Sequence, residues 1–470
     1  MTSNSNNPIN EHFGILKHLI KWFILVLPIG IVIGSMVALF LWLLSAVTQY
    51  RFTHTWLLYL LPIAGILIHF IYQTIGKSAE KGNNLIMEQI HEEGGGVPKR
   101  MAPIILITTL ITHLFGGSAG REGTAVQIGG SIASMFGDWF KLQGIDKKTV
   151  LIAGVAAGFG AVFGTPLTGA IFAMEVLAIG RIQYQALLPA LMAALIGDLT
   201  VNAWDIHHTL YHIDALTNAR PDFMESKLHF DMLLLGKVVV SSIAFGLASF
   251  VFAILVREIK NICLRIFKYT WMIPVFGGLL IITITLLLGK PDYLGLGVDA
   301  QYPGAVTIPS AFNTGGAGLW SWLWKTIYTT ITLGTGFKGG EVTPLFYIGA
   351  TLGNTLASIL NAPVSLFAAL GFIAVFAGAT NTPIACTFMG VELFGGQYVL
   401  LFAVACCIAY LFSGHTGIYG AQRIAVPKII SDIENRENSS LSGMMDRKGY
   451  LHQKLEKYYF RVNKNRKTPN

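Results

Sequence analysis

Charged residues are scarce in this chain of 470 residues. Asp, Glu, Lys and Arg make up 12% of it, hydrophobic residues make up 53%, and the mean hydropathy is +0.58. Soluble domains carry about 25% charged residues. A helix that spans a bilayer needs about 20 mostly apolar residues. Among the runs of that order or longer that contain no charged residue are 22–50, 52–76, 101–120, 149–174, 238–256, 342–391 and 393–422. The sequence therefore predicts an all-α polytopic membrane protein.

Cysteine is also rare, and the cysteines present show no spacing typical of a metal or redox site. They are expected to be small packing residues. His208 and His212, in the stretch DIHHTLYHID, have the i, i+4 spacing that can hold a metal. No HExxH motif or carboxylate partner accompanies them, so an ordinary aqueous loop is the better interpretation. We expect no metal and no cofactor. The four cysteines are Cys263, Cys386, Cys406 and Cys407.

Catalytic groupings are missing from the predicted spans as well. A membrane-embedded enzyme would need a nucleophile with a base, or a cluster of metal ligands, inside the apolar part of the chain. Neither is found there. The sequence therefore predicts a protein that is not an enzyme.

Basic residues flank the apolar part and predict its orientation. Lys17 and Lys21 precede the first span without a signal-peptide cleavage site, and Lys77 and Lys81 fall on the same side two spans later. Because cytoplasmic loops are enriched in Lys and Arg, the N-terminus is predicted to be cytoplasmic. Residues 436–470 contain nine Lys or Arg and three acids, so this end is predicted to be cytoplasmic and to contact lipid rather than nucleic acid. The predicted division is a cytoplasmic segment at 1–20, a transmembrane domain at 21–424 and a basic tail at 425–470.

The apolar part contains an internal repeat. Positions 165–175 read TPLTGAIFAME and positions 382–392 read TPIACTFMGVE, each beginning Thr-Pro and ending in Glu. Dense glycine clusters, GGSAGREG at 116–123 and GTGFKGG at 334–340, precede them at similar distances. Interrupted hydrophobic segments at corresponding places of two halves are typical of transporters. The repeats are predicted at about 21–200 and 232–424, and these residues alone leave open whether they are parallel or inverted. A structural role at a helix end is favoured for Glu175 and Glu392.

The glycine break GREGT at 120–124 holds a carboxylate in an otherwise apolar stretch. At a helix break, unpaired N–H groups and the positive end of the helix dipole form an anion site. Glycines on both sides of Glu122 allow close backbone approach. Glu122 can therefore occupy the anion site itself and leave it when a proton neutralises the carboxylate. Arg121 is expected either to pair with an acid or to lie at the aqueous mouth.

Together these stretches resemble the CLC family of chloride channels and proton-coupled exchangers. GREGT is similar to the family signature G-[KR]-E-G-P, and GGEVTP at 339–344 is similar to G-x-F-x-P. Tyr419, in HTGIYGAQ, stands where the family has its central anion-binding tyrosine. The resemblance covers roughly 10–423. It implies a CLC-type fold of two inverted repeats of tilted, partly interrupted helices, a homodimer, and one anion pathway in each subunit.

Departures from the family pattern point to one branch of it. Thr124 replaces the proline of the first signature, and Val342 replaces the phenylalanine of the second. Asn83 stands where chloride members carry the serine of G-S-G-I-P, and Val176 stands where proton-coupled chloride exchangers carry an inner glutamate. These changes resemble the bacterial fluoride/proton antiporters. The resemblance implies export of fluoride in exchange for protons across a bacterial cell membrane.

The resemblance also implies roles for individual residues. Fluoride holds its water tightly, so a fluoride site must replace that water with strong hydrogen bonds. Asn83 has two amide donors, and Tyr419 and Thr343 each have a hydroxyl. Alternatively, Asn83 caps a helix, Tyr419 packs, and Thr343 starts a helix. Glu341 is either a proton-path group or an acid placed at a helix N-terminus. Proton coupling and gating are assigned to Glu122 and Glu341, and anion binding to Gly82, Asn83, Gly123, Thr124, Val342, Thr343 and Tyr419.

Rival functions remain within the same family. A chloride-selective proton exchanger or a passive anion channel has the same overall pattern. Asn83, Thr124 and Glu341 argue against chloride selectivity, whereas Val176 favours the loss of coupling, since passive members also lack the inner acid. The expected partners are therefore fluoride or chloride, protons, membrane lipid and a second copy of the chain.

Overall fold

The structure, a computed structural model, describes residues 8–92, 96–213, 231–428 and 440–442. Most of the predicted basic tail lies outside these ranges, so the predictions about it stay predictions. Within the described residues, four helical stretches are long and apolar enough to cross a membrane: His12–Thr53, Thr55–His91, Tyr184–Ala203 and Met232–Ile266. Many of the other helices are shorter, which agrees with the interrupted spans that the glycine clusters predict.

The helices fall into two sets separated by residues 204–231. The first set is α1 (Pro8–Thr53), α2 (Leu61–Ile71), α3 (Asn83–His91), α4 (Met101–Leu114), α5 (Glu122–Trp139), α6 (Gly144–Phe163), α7 (Pro166–Glu175) and α8 (Leu187–Ala203). The second set is α9 (Met232–Ile266), α10 (Met272–Leu288), α11 (Ser321–Gly334), α12 (Val342–Leu360), α13 (Val364–Thr380), α14 (Pro383–Phe394) and α15 (Val399–Phe412). The short strands β1 (Ala178–Ile179) and β2 (Arg423–Ile424) pair in parallel. They join the segment after α15 to the segment after α7 in the first set.

Corresponding helices end and begin in the same way in both halves. The left-handed residue after α6 is Gly164, with φ +70°, and the one after α13 is Asn381, with φ +60°. Gly and Asn are the residues that tolerate this conformation at a helix C-terminus. Thr-Pro follows each of them, and proline at the first helical position favours the start of α7 and α14. The repeat seen in the sequence is therefore a repeat of helix boundaries.

Close helix packing is repeated too. A Cβ added to Gly129 in α5 would lie 2.1 Å from the carbonyl oxygen of Gly154 in α6. A Cβ added to Gly349 in α12 would lie 2.0 Å from the carbonyl oxygen of Gly371 in α13. Any side chain at these positions would force the helices apart. The two helix pairs thus pack backbone to backbone at matching places, as small residues allow in membrane proteins.

The two halves contact each other through equivalent groups. Glu175, at the end of α7, accepts hydrogen bonds from the backbone N–H groups of Ile384 (3.1 Å) and Ala385 (2.8 Å) in the first turn of α14. Glu392, near the end of α14, accepts from the N–H groups of Leu167 (2.9 Å) and Thr168 (2.7 Å) in the first turn of α7. Each Glu caps the other repeat's helix, which fits inverted repeats related by a two-fold axis. The structural role predicted for both acids agrees with these bonds.

Removing one cap is expected to destabilise the fold. Glu175 is 6% exposed, and Glu175→Ala leaves the buried N–H of Ala385 and the part-buried N–H of Ile384 without their acceptor. Hydrogen bonds to a charged group contribute about 1.5–3 kcal/mol, and we expect a loss of that order in the free energy of unfolding. SDS-titrated unfolding in mixed micelles measures it. Glu258→Ala, at a half-exposed Glu that pairs with its neighbour Arg257, is the matched control. A Glu175→Ala loss no larger than the control loss would contradict the capping role.

The cysteine and histidine predictions hold in part. Cys263, Cys386 and Cys406 are buried as predicted, but Cys407 is exposed. No group of three His, Cys, Asp or Glu in the described ranges could hold a metal ion. His207 and His212 are exposed as expected for an aqueous loop, whereas His208 is partly buried. Tyr211 is inserted into the core and stacks on Phe312 with 5.5 Å between ring centroids. The described part of this loop is therefore anchored to the helices.

Candidate functional site

The two glycine breaks meet at the centre of the molecule. Gly120 and Gly340 exchange backbone hydrogen bonds of 2.6 and 2.8 Å as an antiparallel pair. A Cβ on Gly123 would lie 3.0 Å from Cα of Gly340, so a larger residue would push the breaks apart. This contact brings the N-terminus of α5 next to the N-terminus of α12. Two positive helix ends therefore converge on one place, where an anion is stabilised.

The carboxylate of Glu122 occupies that place. It is 1% exposed, and its Oε2 accepts hydrogen bonds from the N–H groups of Thr343 (3.0 Å) and Arg121 (3.1 Å). The hydroxyl of Thr343 donates to the other oxygen, Oε1. Nε of Arg121 lies 3.6 Å from Oε1, so of the two positions expected for Arg121 the structure has the one paired with an acid. These donors replace the water that a buried carboxylate loses.

A vestibule of about 490 Å³ lies on one side of the breaks. Three distant parts of the chain supply residues that line it: Gly82 and Asn83, Glu341, and Tyr419. Gln127 also lines the vestibule, and a Cβ on Gly82 would lie 3.2 Å from its Nε2. We had no prediction for Gln127. Its place one helical turn after Gly123, on the same face of α5, is the signal that could have found it.

Asn83 is the first residue of α3 and does not cap it. The residue that precedes the helix is Gly82, with φ +56°, and no side chain caps the helix there. The interpretation of Asn83 as a helix cap is therefore wrong. Its Oδ1 is buried without a hydrogen-bond partner, and its Nδ2 lies 3.2 Å from the position of a Cβ on Gly123. The amide donors thus lie beside the glycine break.

Tyr419 is held in place from both sides. Oδ1 of Asn84 accepts from the N–H of Ala421 at 2.9 Å, which ties the start of α3 to the tyrosine segment. Nε2 of Gln422 donates to the carbonyl oxygens of Val176 (2.8 Å) and Thr380 (2.9 Å). Tyr419 is 5% exposed at the inner end of the vestibule. Sequence reasoning missed Asn84 and Gln422, whose partners are distant in the chain.

The sequence and fold are similar to those of known proteins. The family model for voltage-gated chloride channels matches residues 64–414. The chain belongs to this family, the CLC family. It is 44% identical over 424 residues to a chloride/fluoride channel protein of Pseudomonas syringae pv. tomato, which covers 89% of this chain and 90% of the relative.

Solved structures agree with the CLC assignment and show the fold. The crystal structure of a CLC-type fluoride/proton antiporter matches with a TM-score of 0.79 and 34% identity, covering 86% of this chain and 98% of that one. A slow cyanobacterial Cl⁻/H⁺ antiporter matches with a TM-score of 0.70 at 19% identity, over 83% of this chain and 94% of that one. The predicted CLC-type fold of inverted repeats is therefore confirmed.

Not every CLC signature residue faces the vestibule in this chain. The hydroxyl of Thr124 is paired with the hydroxyl of Thr109 at 2.7 Å, and Val342 is 1% exposed. The N–H and the hydroxyl of Thr343 both donate to the Glu122 carboxylate. Thr343 thus contacts the carboxylate, whereas Asn83 and Tyr419 line the vestibule. The site thus has two adjoining parts, one filled by Glu122 and one lined by side-chain donors.

Two cavities of different polarity adjoin this CLC site, a small one beside Val176 and the vestibule. Val176 lines a small cavity of about 20 Å³ together with Asn83 and Tyr419, and its other lining residues are apolar. Glu341 precedes α12 and lines the wider, polar vestibule, and its side chain makes no capping hydrogen bond to that helix. A carboxylate is therefore present on the vestibule side, and among the described residues none lines the Val176 cavity.

Proposed function

We propose that this protein exports fluoride from a bacterial cell in exchange for protons. One observation carries the proposal: the Glu122 carboxylate lies where two helix N-termini converge, held by donors that would equally bind a mobile anion. The names of two relatives, a chloride/fluoride channel protein and a CLC-type fluoride/proton antiporter, support fluoride as the anion. The protein works in this proposal as a homodimer in the cell membrane, with both termini cytoplasmic, and contacts lipid but no nucleic acid.

The exchange follows from competition for one site. The ionised Glu122 fills the anion position and closes the pathway. A proton makes the side chain neutral, which weakens the charge-assisted hydrogen bonds from Thr343 and Arg121. The neutral side chain then leaves, and the anion takes the freed N–H groups. When the side chain loses its proton again, it returns as a carboxylate and displaces the anion. In this proposal the anion and the proton move in opposite directions.

Fluoride selectivity rests on the donors beside this position. Fluoride is small and strongly hydrated, so a site must supply short hydrogen bonds in place of water. The Asn83 amide offers two N–H donors and Tyr419 a hydroxyl, and both line the vestibule. The serine of chloride-type members offers one donor.

A second candidate is passive anion conduction. The apolar surroundings of Val176 favour it, because they offer no acid along that cavity. Coupled transport then needs Glu341, or water in the vestibule, to bring protons to Glu122.

Flux from liposomes distinguishes the candidates. Vesicles with the purified protein are loaded with fluoride or chloride, and the anion and external pH are recorded together. We expect fluoride to leave faster than chloride and protons to enter as it leaves. Chloride leaving faster would overturn the selectivity, and anion flux without proton movement would overturn the exchange.

Selectivity has its own test in Asn83→Ser. Serine keeps one donor, and a hydrogen bond contributes about 1 kcal/mol net, so we expect the fluoride-to-chloride flux ratio to fall several-fold. Asn202→Ser, at an exposed residue near the end of α8, is the control. If the ratio in Asn83→Ser equals the ratio in the control, Asn83 does not select the anion.

A further inference from the structure

Lys338 lies in the second glycine break and has no role in the exchange described above. We propose that its ammonium group, held on the ring of Tyr72, is the position in the vestibule that receives the anion before it reaches Asn83 and Tyr419. The proposal rests on the proposed function, because it assumes that anions cross the vestibule. It adds a binding position outside the Glu122 site.

The ammonium is placed by an aromatic ring. Nζ of Lys338 lies 4.2 Å from the ring centroid of Tyr72, within the range of a cation–π contact. Two residues before Lys338, Gly336 has a φ of +99°, a conformation that favours glycine. The backbone of Lys338 and the ring of Tyr72 belong to different repeats, so the contact is a long-range one. Both residues line the vestibule.

The ring of Tyr72 is itself placed by the shape of the chain after α2. Residues Tyr72–Gly76 form a turn of π-helix, a distortion that is frequent at functional sites. A Cβ on Gly76 would lie 2.9 Å from Cδ1 of Tyr72, so a side chain there would displace the ring. Gly76, Tyr72 and Lys338 thus form a chain of contacts that ends at the ammonium.

The charges around the vestibule leave Lys338 without a carboxylate partner. At the mouth, Lys81 pairs with Glu88 at 2.7 Å and Arg257 pairs with Glu258 at 3.5 Å. Among the described residues, no carboxylate oxygen lies within 4.0 Å of Nζ of Lys338 or of Lys260. The remaining acids that line the vestibule are Glu80 and Glu341. An ammonium without a carboxylate at contact distance is available to a mobile anion.

The charge of Lys338 also bears on the repulsion between an anion and the Glu341 carboxylate. Glu341 lines the same vestibule as Asn83 and Tyr419, and its ionised carboxylate repels an anion there. Lys338 stands three residues before Glu341 on the same break and lines the same cavity. Charges interact more strongly near a protein wall than in bulk water. The ammonium therefore offsets the repulsion and gives the anion a favourable place to stop.

The test compares the fluoride concentration at half-maximal flux in liposomes. Charged hydrogen bonds contribute about 1.5–3 kcal/mol, so we expect Lys338→Gln to raise that concentration about tenfold or more. We expect Lys338→Arg to stay near wild type and the proton-to-fluoride ratio to stay unchanged in both. Lys260→Gln is the matched control, since it removes an equal charge from an exposed vestibule lysine. Its smaller effect should vanish at about 1 M salt, where exposed charges are screened, while the Lys338→Gln effect persists.

Tyr72 supplies a second, independent variant. Tyr72→Phe keeps the aromatic face and should behave as wild type, whereas Tyr72→Leu should repeat the Lys338→Gln shift. If Lys338→Gln does not give a monodisperse protein, Tyr72→Leu against Tyr72→Phe decides the matter alone. An unchanged half-saturating concentration in the folded Lys338→Gln or Tyr72→Leu protein overturns the inference. If wild type moves chloride rather than fluoride, the proposed function fails, and the same comparison made with chloride still tests Lys338.

Discussion

Replacing Glu122 with glutamine is expected to abolish proton movement linked to anion flux. Glutamine has nearly the same shape as a protonated glutamate, but it neither binds nor releases a proton in this pH range. The amide also lacks the charge that draws the donors of Thr343 and Arg121 onto the carboxylate. The pathway should therefore favour its open form. We expect fluoride to flow passively down its gradient, with no proton carried against it.

The measurement uses liposomes with an outward fluoride gradient and a continuous record of external pH. Wild type should draw protons inward until the fluoride gradient is spent, and Glu122→Gln should leave the pH unchanged. Glu88→Gln is the control, because Glu88 lies at the vestibule mouth in a pair with Lys81 and outside the central site. Proton uptake in Glu122→Gln equal to that of wild type would remove Glu122 from the coupling mechanism.

Much of the fold could be predicted from the sequence because its signals are local. Uncharged runs gave the membrane class, and the Thr-Pro stretches together with the glycine clusters gave the repeat and the helix breaks. The orientation of the repeats could not be read from those residues, since it depends on which distant groups meet. In the structure, Gly120 pairs with Gly340, and Glu175 and Glu392 each cap the other half's helix.

The site divides in the same way. Glu122 could be found because glycines bracket the Arg121–Glu122 pair in a stretch that is otherwise uncharged. The helix-cap interpretation of Asn83 failed because Gly82, not Asn83, precedes α3. The pairing of Thr124 with Thr109 and the bond from Ala421 to Asn84 were missed because each joins residues of different helices or segments. No local pattern of residue types encodes contacts of that kind.

The position of Glu341 is compatible with both of its interpretations, a proton-path group and an acid at a helix N-terminus. It directly precedes α12, where an acid complements the positive end of the helix. It also lines the vestibule with Asn83 and Tyr419, where a proton from the water-filled side would arrive. The alternative route, past Val176, is lined mostly by apolar side chains. Among the described residues, acids line the vestibule, Glu341 among them, and none lines the Val176 cavity. Glu341 directly follows Gly340, which pairs with Gly120 close to Glu122.

Glu341→Gln is expected to uncouple or strongly slow the exchange, and Glu341→Asp to retain part of it, because aspartate still binds a proton. The proton-to-fluoride ratio of each variant, measured beside wild type in the same liposomes, tests this. A role limited to the helix dipole gives another outcome: Glu341→Gln would cost about 0.3–1 kcal/mol of stability and leave the ratio intact. An unchanged ratio would take Glu341 out of the proton path. Protons would then have to reach Glu122 through water in the vestibule, since Val176 provides no group that can carry them.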